Sequence, residues 1–179
     1  SFGAITANFT PSNVTTVSDS WISKQGLQYN LEQNGLSLEN ITQLTSLDSL
    51  PDNITVILYK IPKSKSLMID QLLTIKAKYN QEVIFIAADK AKDIHSSTLK
   101  LFEKYLGTTK TSLAVKKSRL VFSQLDNEQV LPSPFPTIWP LENTQFSISN
   151  HSGVYAREKL DIGARHFMEN LPDVKSGMR

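Results

Sequence analysis

Basic side chains follow two predicted strands of the chain. Among the residues of this sequence they are the best suited to bind a negatively charged ligand. Residues 60–122 hold thirteen basic and five acidic side chains, although all 179 residues together carry a formal net charge of only +2. Ammonium and guanidinium groups donate strong hydrogen bonds to phosphate oxygens, so this bias favours a polyanion-binding surface. Lysines on solvated helix faces explain it equally well. The candidate contacts are Lys60, Lys63, Lys65, Lys90, Lys92, Lys116, Lys117 and Arg119.

Composition excludes several other kinds of site chemistry. The chain has no cysteine, so disulfide scaffolds, thiolate nucleophiles and cysteine-bound metal sites are excluded, and a reducing compartment is expected. His95, His151 and His166 are far apart and lack a carboxylate at metal-ligand spacing, so no metal is expected. No apolar stretch approaches the roughly 20 residues of a membrane span, and no signal-peptide pattern opens the chain.

The elements that would position the basic residues form a β-α-β unit. The β-branched apolar run Ile54 to Ile61, bounded by Pro51 and Pro62, predicts a buried strand. Apolar residues at helical spacing predict a helix over residues 64–79, and residues 82–87 predict a second strand. Strands joined in this way are parallel and place ligands beyond their carboxyl ends, where the basic residues begin.

The N-terminal part of the chain extends this pattern. Strands are predicted at residues 14–17 and 41–44, with a helix between them that Asp19 or Ser20 caps and Gly35 ends. An acidic residue after a strand also binds ribose in nucleotide-binding sheets. We favour the capping role for Asp19, because a helix start needs the same residue type.

A helix and an edge hairpin follow the β-α-β unit. The helix is predicted to run from His95 to Gly107, and two strands at residues 111–115 and 119–122 predict an antiparallel edge pair. The charged turn of this pair, which holds Lys116, Lys117 and Arg119, has two interpretations of equal weight. It protects a sheet edge from aggregation, or it contacts RNA.

Four prolines within nine positions predict a linker near residues 126–142, because they remove backbone donors and favour extended chain. Residues 1–125 then form one domain and residues 143–179 a separate C-terminal piece. A strand is predicted at residues 145–149 and a helix after Asp161. About forty residues are too few for an independent core, so the C-terminal piece is expected to belong to a larger domain.

Two long stretches resemble a known family. Residues 151–165, from His151 to Arg165, resemble the large-subunit ribosomal RNA guanine-N(2)-methyltransferases, to which the small-subunit guanine-N(2) enzymes are related. Residues 90–104 and 116–120 resemble the large-subunit group specifically, and Phe2-Gly3-Ala4 extends the resemblance over nearly the whole chain. The resemblance implies a Rossmann-like class I methyltransferase-type α/β sheet, mostly parallel with an antiparallel edge hairpin.

The resemblance also implies two methyltransferase-like domains in tandem, of which the C-terminal copy is catalytic and binds S-adenosylmethionine. This chain resembles the degenerate N-terminal copy, followed by the lead-in to the catalytic copy. The family's Asn-Pro-Pro-aromatic motif is absent, and Lys60-Ile61-Pro62-Lys63 stands at the equivalent place. No Gly-x-Gly turn is present to let a backbone approach a cofactor. We therefore expect no catalytic residue, no bound cofactor and no activity in this chain alone.

In relatives, the stretch that matches Tyr155 to Ala164 packs against the cofactor pocket of the catalytic domain. The resemblance therefore implies that Tyr155, Asp161 and Gly163 help to form that pocket together with the catalytic domain. A capped helix start explains Asp161 equally well, because a carboxylate is favourable at the positive end of a helix.

Three functional hypotheses follow. The first is an RNA-recognition domain that positions large-subunit ribosomal RNA for its own C-terminal catalytic domain, in the cytoplasm. The second is a structural pseudo-domain for stability or self-association without RNA contact. The third, suggested by Asp19, is an independent nucleotide-binding enzyme, and it is the weakest because a glycine-rich loop is lacking.

Overall fold

The computed structural model describes residues 4–9 and 12–172, in two compact units that are Ser1–Thr55 and Val56–Arg179. The predicted turn at Phe2-Gly3 lies outside the described residues. No helix within the described ranges is long and apolar enough to cross a membrane.

The first unit is a pair of parallel strands with two helices. It contains α1 (Ala4–Asn8), β1 (Val14–Val17), α2 (Trp21–Gln33) and β2 (Ile41–Leu44). β1 and β2 pair in parallel, with Val14 opposite Ile41. The Ser20 hydroxyl caps α2 by accepting a hydrogen bond from the Ser23 amide, and Gly35 follows the helix with φ of 64°. The predicted strands, the serine cap and the glycine stop are all confirmed.

The second unit is built around a four-stranded sheet in the order β3-β4-β6-β5. Its elements are β3 (Val56–Lys60), α3 (Lys65–Lys78), β4 (Ile84–Lys90), a 3-10 turn (Ala91–Asp93), α4 (Ser96–Tyr105), β5 (Thr109–Thr111) and β6 (Ser118–Ser123). β3 and β4 are parallel, whereas β6 is antiparallel to both β4 and β5. The predicted β-α-β unit and the antiparallel edge hairpin are confirmed.

One face of this sheet packs its aromatic residues against α3 and α4. The ring of Phe85 on β4 lies 5.5 Å from that of Tyr59 and 5.8 Å from that of Phe102 on α4, measured between ring centroids. Burial raises the pKa of the Tyr59 hydroxyl, which donates a hydrogen bond to Gln71 Oε1 at 2.8 Å. Phe85 and Phe102 are almost fully buried and form the centre of the core.

Several strand limits differ from those predicted, and those of β4 and β5 differ most. β4 continues to Lys90 because Asp89 and Lys90 pair with β6. β5 ends at Thr111, although a strand was predicted at residues 111–115, because the Ser112 hydroxyl accepts the hydrogen bond of the Leu120 amide. Leu113 is 88% exposed, so burial does not favour a longer strand there.

The C-terminal part of the second unit contains ordered elements, including one inside the proline-rich segment. They are β7 (Thr137–Pro140), β8 (Ser147–Asn150) and α5 (Ile162–Glu169), and β7 and β8 pair as an antiparallel hairpin. The division into the two units falls between Thr55 and Val56. The domain boundary expected at residues 126–142 therefore stays a prediction. This segment is not an unpaired linker throughout, because it contains β7, which pairs with β8.

The position of Gly107, just after α4, requires a residue without a Cβ atom. Its φ of 141° is accessible almost only to glycine, and an added Cβ would overlap the carboxylate of Asp126. That carboxylate accepts hydrogen bonds from both the amide and the hydroxyl of Thr108, each at 2.8 Å. We expect Gly107→Ala to lower the free energy of unfolding by about 3 kcal/mol, measured by urea denaturation.

Gly35→Ala is the matched control for this substitution. Gly35 also has a positive φ, but no atom lies within 4 Å of an added Cβ. The cost there is the backbone strain alone, about 1 kcal/mol. Equal effects of the two substitutions would contradict the assigned role of the Asp126 carboxylate.

Candidate functional site

The carboxyl ends of β3 and β4 and the start of β6 meet at one edge of the sheet. Because β6 runs antiparallel to β4, its first residues lie beside the last residues of β4. Arg119 is thus opposite Asp89, and the Lys60 ammonium group contacts the Asp89 carboxylate with a distance of 2.7 Å between Nζ and Oδ1. Strand pairing therefore brings together basic residues that are 59 positions apart in sequence.

The turn before β6 adds further basic residues to this edge. The Ala91 amide donates a hydrogen bond to the Lys117 carbonyl oxygen at 2.8 Å, which ties the hairpin turn to the end of β4. Lys90, Lys92, Lys116 and Lys117 are all exposed. Lys116 and Lys117 have positive φ values of 48° and 63°, which reverse the chain tightly between Val115 and Ser118.

Lys63 and Lys65 lie between β3 and the first turn of α3, at the same edge. The Lys65 ammonium group donates to the Ser97 hydroxyl at 3.3 Å, so the starts of α3 and α4 are close together. Both lysines are exposed. All eight predicted basic residues thus lie around the carboxyl ends of β3 and β4, and we call this set the basic edge.

Asp89 is the acidic residue at the centre of the basic edge. Partial burial by itself would raise the pKa of its carboxyl group. The hydrogen bond from Lys60, the Lys90 amide and the charges of both lysines outweigh that effect and lower the pKa. Asp89 therefore stays ionised and neutralises part of the Lys60 charge. Arg119 has a buried Nε without a hydrogen-bond partner among the described residues.

The residues expected to help form a cofactor pocket lie in the C-terminal part of the second unit. Asp161 caps α5, because its carboxylate accepts hydrogen bonds from the Gly163 amide at 3.0 Å and the Ala164 amide at 3.3 Å. Tyr155 is 84% exposed. Together with Ser64 and the other residues of the stretch 153–159, it lines a cavity of about 540 Å³. The capping role is seen directly, and the pocket-forming role stays a prediction.

Sequence reasoning missed Arg157, which lines the same cavity and bonds to α3. Its side chain donates to the Ser66 hydroxyl, the Ser152 carbonyl oxygen and the Glu158 carboxylate, and these partners produce no recognisable spacing in the sequence. Asp19 was expected to cap α2, but its Oδ1 instead accepts a hydrogen bond from the Ser46 amide at 2.8 Å. Within the described ranges, no group of three or more histidine or acidic residues could hold a metal ion.

Comparisons with known proteins agree on the family. A family model described as "RLMG N-terminal domain" matches residues 1–127. Proteins named "Ribosomal RNA large subunit methyltransferase G" match nearly the whole chain. The relative from Colwellia psychrerythraea is 62% identical over 97% of this chain and 47% of its own length. The relative from Aeromonas hydrophila is 46% identical over 96% of this chain and 46% of its own. The chain thus spans about half the length of these relatives.

Solved structures confirm the Rossmann-like fold. The 16S rRNA N2 methyltransferase RsmC of T. thermophilus, solved with AdoMet and guanosine, has a TM-score of 0.64 at 12% identity and covers 87% of this chain and 41% of its own. A precorrin-6y methyltransferase from Geobacter metallireducens has a TM-score of 0.50 at 10% identity, covering 63% and 66%. These likenesses concern the fold alone.

The ion pair at the basic edge predicts a pH-dependent stability. Because folding lowers the pKa of Asp89, its charge stabilises the fold above the unfolded-state pKa of about 4 and ceases to do so as pH falls through the folded-state value. Asp89→Asn should therefore lower the free energy of unfolding at pH 7 by at most about 1 kcal/mol, because Lys60 is exposed. Urea denaturation should show this difference shrinking towards pH 2.

High salt offers a check on the same ion pair. An exposed lysine is screened at about 1 M NaCl, so the difference between the two proteins at pH 7 should also shrink there. A difference that depends on neither pH nor salt would show that Asp89 acts through packing instead of charge.

Proposed function

The chain belongs to the RLMG N-terminal domain family, and from this premise we propose that it is the RNA-holding half of an S-adenosylmethionine-dependent rRNA (guanine-N(2)-)-methyltransferase. Its role is to position large-subunit ribosomal RNA in the cytoplasm. A C-terminal catalytic domain of the same protein binds S-adenosylmethionine and transfers the methyl group. The domain described here has no catalytic role of its own.

The basic edge is the observation that carries this proposal. Its residues come from three separate stretches of the second unit, 60–65, 90–92 and 116–119, yet they lie around one edge of one sheet. Exposed ammonium groups gathered at one edge suit the phosphates of a folded RNA, which bind mainly through charge and shape. Carboxyl ends of parallel strands are also where sheets of this type bind their ligands.

The end of β3 supports the absence of catalysis in this chain. Lys60 lies where the family motif places an asparagine, and its ammonium group is held by Asp89. A lysine only donates hydrogen bonds, so it cannot accept one from the exocyclic amino group of guanine as an asparagine amide oxygen does. The side chain at position 60 therefore lacks the acceptor that the family motif's asparagine provides for the amino group.

An alternative function is that of a structural pseudo-domain, for stability or self-association without RNA contact. It is favoured by the sheet face opposite Phe85, where Val56, Leu58 and Ile84 are 44%, 45% and 57% exposed. Exposed apolar residues on neighbouring strands are typical of surfaces that another body covers. Sedimentation analysis of the chain over a concentration series would detect self-association through this face.

RNA binding by the basic edge is tested with a triple charge reversal. We choose Lys92→Glu, Lys116→Glu and Lys117→Glu, because these side chains are exposed while Arg119 is partly buried beside Asp89. Binding of a large-subunit rRNA fragment is measured by fluorescence anisotropy across a salt series. Loss of three phosphate contacts should reduce the slope of log K against log salt by about two, and the affinity at about 100 mM salt should fall at least tenfold.

Reversal of Lys78, Lys104 and Lys110 provides the matched control. These lysines are also exposed and change the net charge equally, but they lie at the opposite end of the strands. The control should keep at least half of the wild-type affinity. Equal loss in both triple variants would show that net charge alone drives binding, and no loss in either would favour the structural pseudo-domain.

The proposed contribution of Tyr155, Asp161 and Gly163 to the cofactor pocket is tested at Asp161 in the full-length protein. Asparagine also caps helices, so Asp161→Asn keeps the cap and removes the charge, whereas Asp161→Ala removes both. We expect both variants to weaken S-adenosylmethionine binding at least fivefold in calorimetric titration. If only Asp161→Ala weakens binding, the residue acts through the helix cap, and the direct role is refuted.

A further inference from the structure

Helix α3 holds the proline-rich segment and the turn after β8 through one carboxylate. Asp70 on α3 accepts a hydrogen bond from the Ser152 hydroxyl at 2.6 Å and a longer one from the Ser133 hydroxyl at 3.3 Å. Ser152 is only 3% exposed, and Ser133 lies within the proline-rich segment. A single side chain thus connects α3 to two segments that are 63 and 82 positions further along the chain.

Arg157 makes a second connection to the same face of α3. Its Nη1 donates to the Ser66 hydroxyl at 2.6 Å and to the Ser152 carbonyl oxygen at 3.3 Å, while Nη2 pairs with Glu158 at 2.9 Å. Its guanidinium carbon lies 5.3 Å from the centre of the Phe135 ring. Ser66 and Asp70 are four positions apart, so both lie on one side of the helix.

The main chain of Arg157 extends this network to the C-terminal hairpin. The Arg157 carbonyl oxygen accepts hydrogen bonds from Trp139 Nε1 on β7 at 2.8 Å and from Asn150 Nδ2 on β8 at 3.2 Å. The side chain and the main chain of one residue therefore join α3, the hairpin and the turn. We refer to Ser66, Asp70, Ser133, Phe135, Ser152 and Arg157 as the α3 clamp.

This arrangement differs from that of a flexible linker. Asp70 and Arg157 are only partly exposed, and charged hydrogen-bond partners in such positions are strong and directional. Directional bonds at both ends of the segment from Ser133 to Arg157 restrict its rotation against α3. The basic edge begins at the N-terminal end of the same helix, where Lys63 and Lys65 lie.

We propose that Asp70 and Arg157 are positioning residues that hold residues 131–160 in a fixed orientation to α3 and hence to the basic edge. The inference deepens the proposed function, on which its catalytic consequence rests. RNA bound at the basic edge then has a defined orientation relative to residues 131–160 and to the catalytic domain of the proposed function. Loss of the α3 clamp frees that segment while the sheet and the basic edge stay folded.

Hydrogen exchange of this chain tests the α3 clamp without reference to activity. Asp70→Ala removes the acceptor, and Arg157→Met keeps the aliphatic stem but removes every donor. Both variants should raise amide exchange at least tenfold in β7 and β8 and leave β4 unchanged. Thr74→Ala is the control on α3, because the Thr74 hydroxyl donates to the Asp70 carbonyl oxygen within the same helix and bonds to no other segment among the described residues. Unchanged exchange in the hairpin, or an equal increase in β4, would overturn the proposal.

The catalytic consequence is tested in the full-length protein. Asp70→Ala should lower kcat for methyl transfer to rRNA at least fivefold, with the dissociation constants for rRNA and S-adenosylmethionine unchanged, and Asp70→Asn, which keeps a side-chain acceptor, should recover part of the loss. An unchanged kcat would refute the positioning role. If the wild-type protein transfers no methyl group to rRNA, the proposed function fails, while the exchange experiment still decides whether the α3 clamp exists.

Discussion

The antiparallel ladder between β4 and β6 is the constraint on which the second unit depends. It pairs six residues of each strand, from Phe85 opposite Ser123 to Lys90 opposite Ser118. Side chains alternate along a strand, so a shift of one residue would exchange the buried Phe85 and Val121 with their exposed neighbours. The packing of the aromatic core therefore fixes the register, and the register in turn fixes Arg119 beside Asp89. Placement of the basic edge is thus a consequence of hydrophobic burial about 10 Å away along the strands.

Charge at the basic edge is partly compensated by the fold itself. The Asp89 carboxylate accepts one hydrogen bond from the Lys60 ammonium group and another from the Lys90 main-chain amide. One acidic residue therefore restricts the geometry at two basic residues. Their neighbours in the turn have no such carboxylate partner among the described residues. The edge thus combines lysines with restricted geometry and lysines that adapt to a ligand, which suits binding by shape as well as by charge.

Local sequence patterns were sufficient for most elements of this fold, and longer-range features were not. The apolar run ending at Ile61 and the glycine stop at Gly35 each carry a short-range signal, and the structure confirms the strand and the stop. The predicted full burial of this strand is wrong, because Val56 and Leu58 on one face of β3 are exposed. The end of β5 depends on a bond between Ser112 and Leu120, which no periodicity reveals. Three of the six α3 clamp residues are serines, one on each of three segments, and only tertiary packing brings these segments together. For the basic edge, the rule that ligands bind at carboxyl ends predicted the location, whereas the contribution of β6 required the strand order.

The hairpin turn before β6 places two lysines in a backbone conformation that favours asparagine and glycine. Positive φ at both central residues is the geometry of a type I′ turn, and each lysine there costs about 1 kcal/mol relative to glycine. An Asn-Gly turn would make the hairpin more stable and would remove two positive charges. At Lys116 and Lys117 the residues that favour stability are therefore not those that carry positive charge. In a library of variants of this turn, selection for thermal stability alone would favour replacement of both lysines.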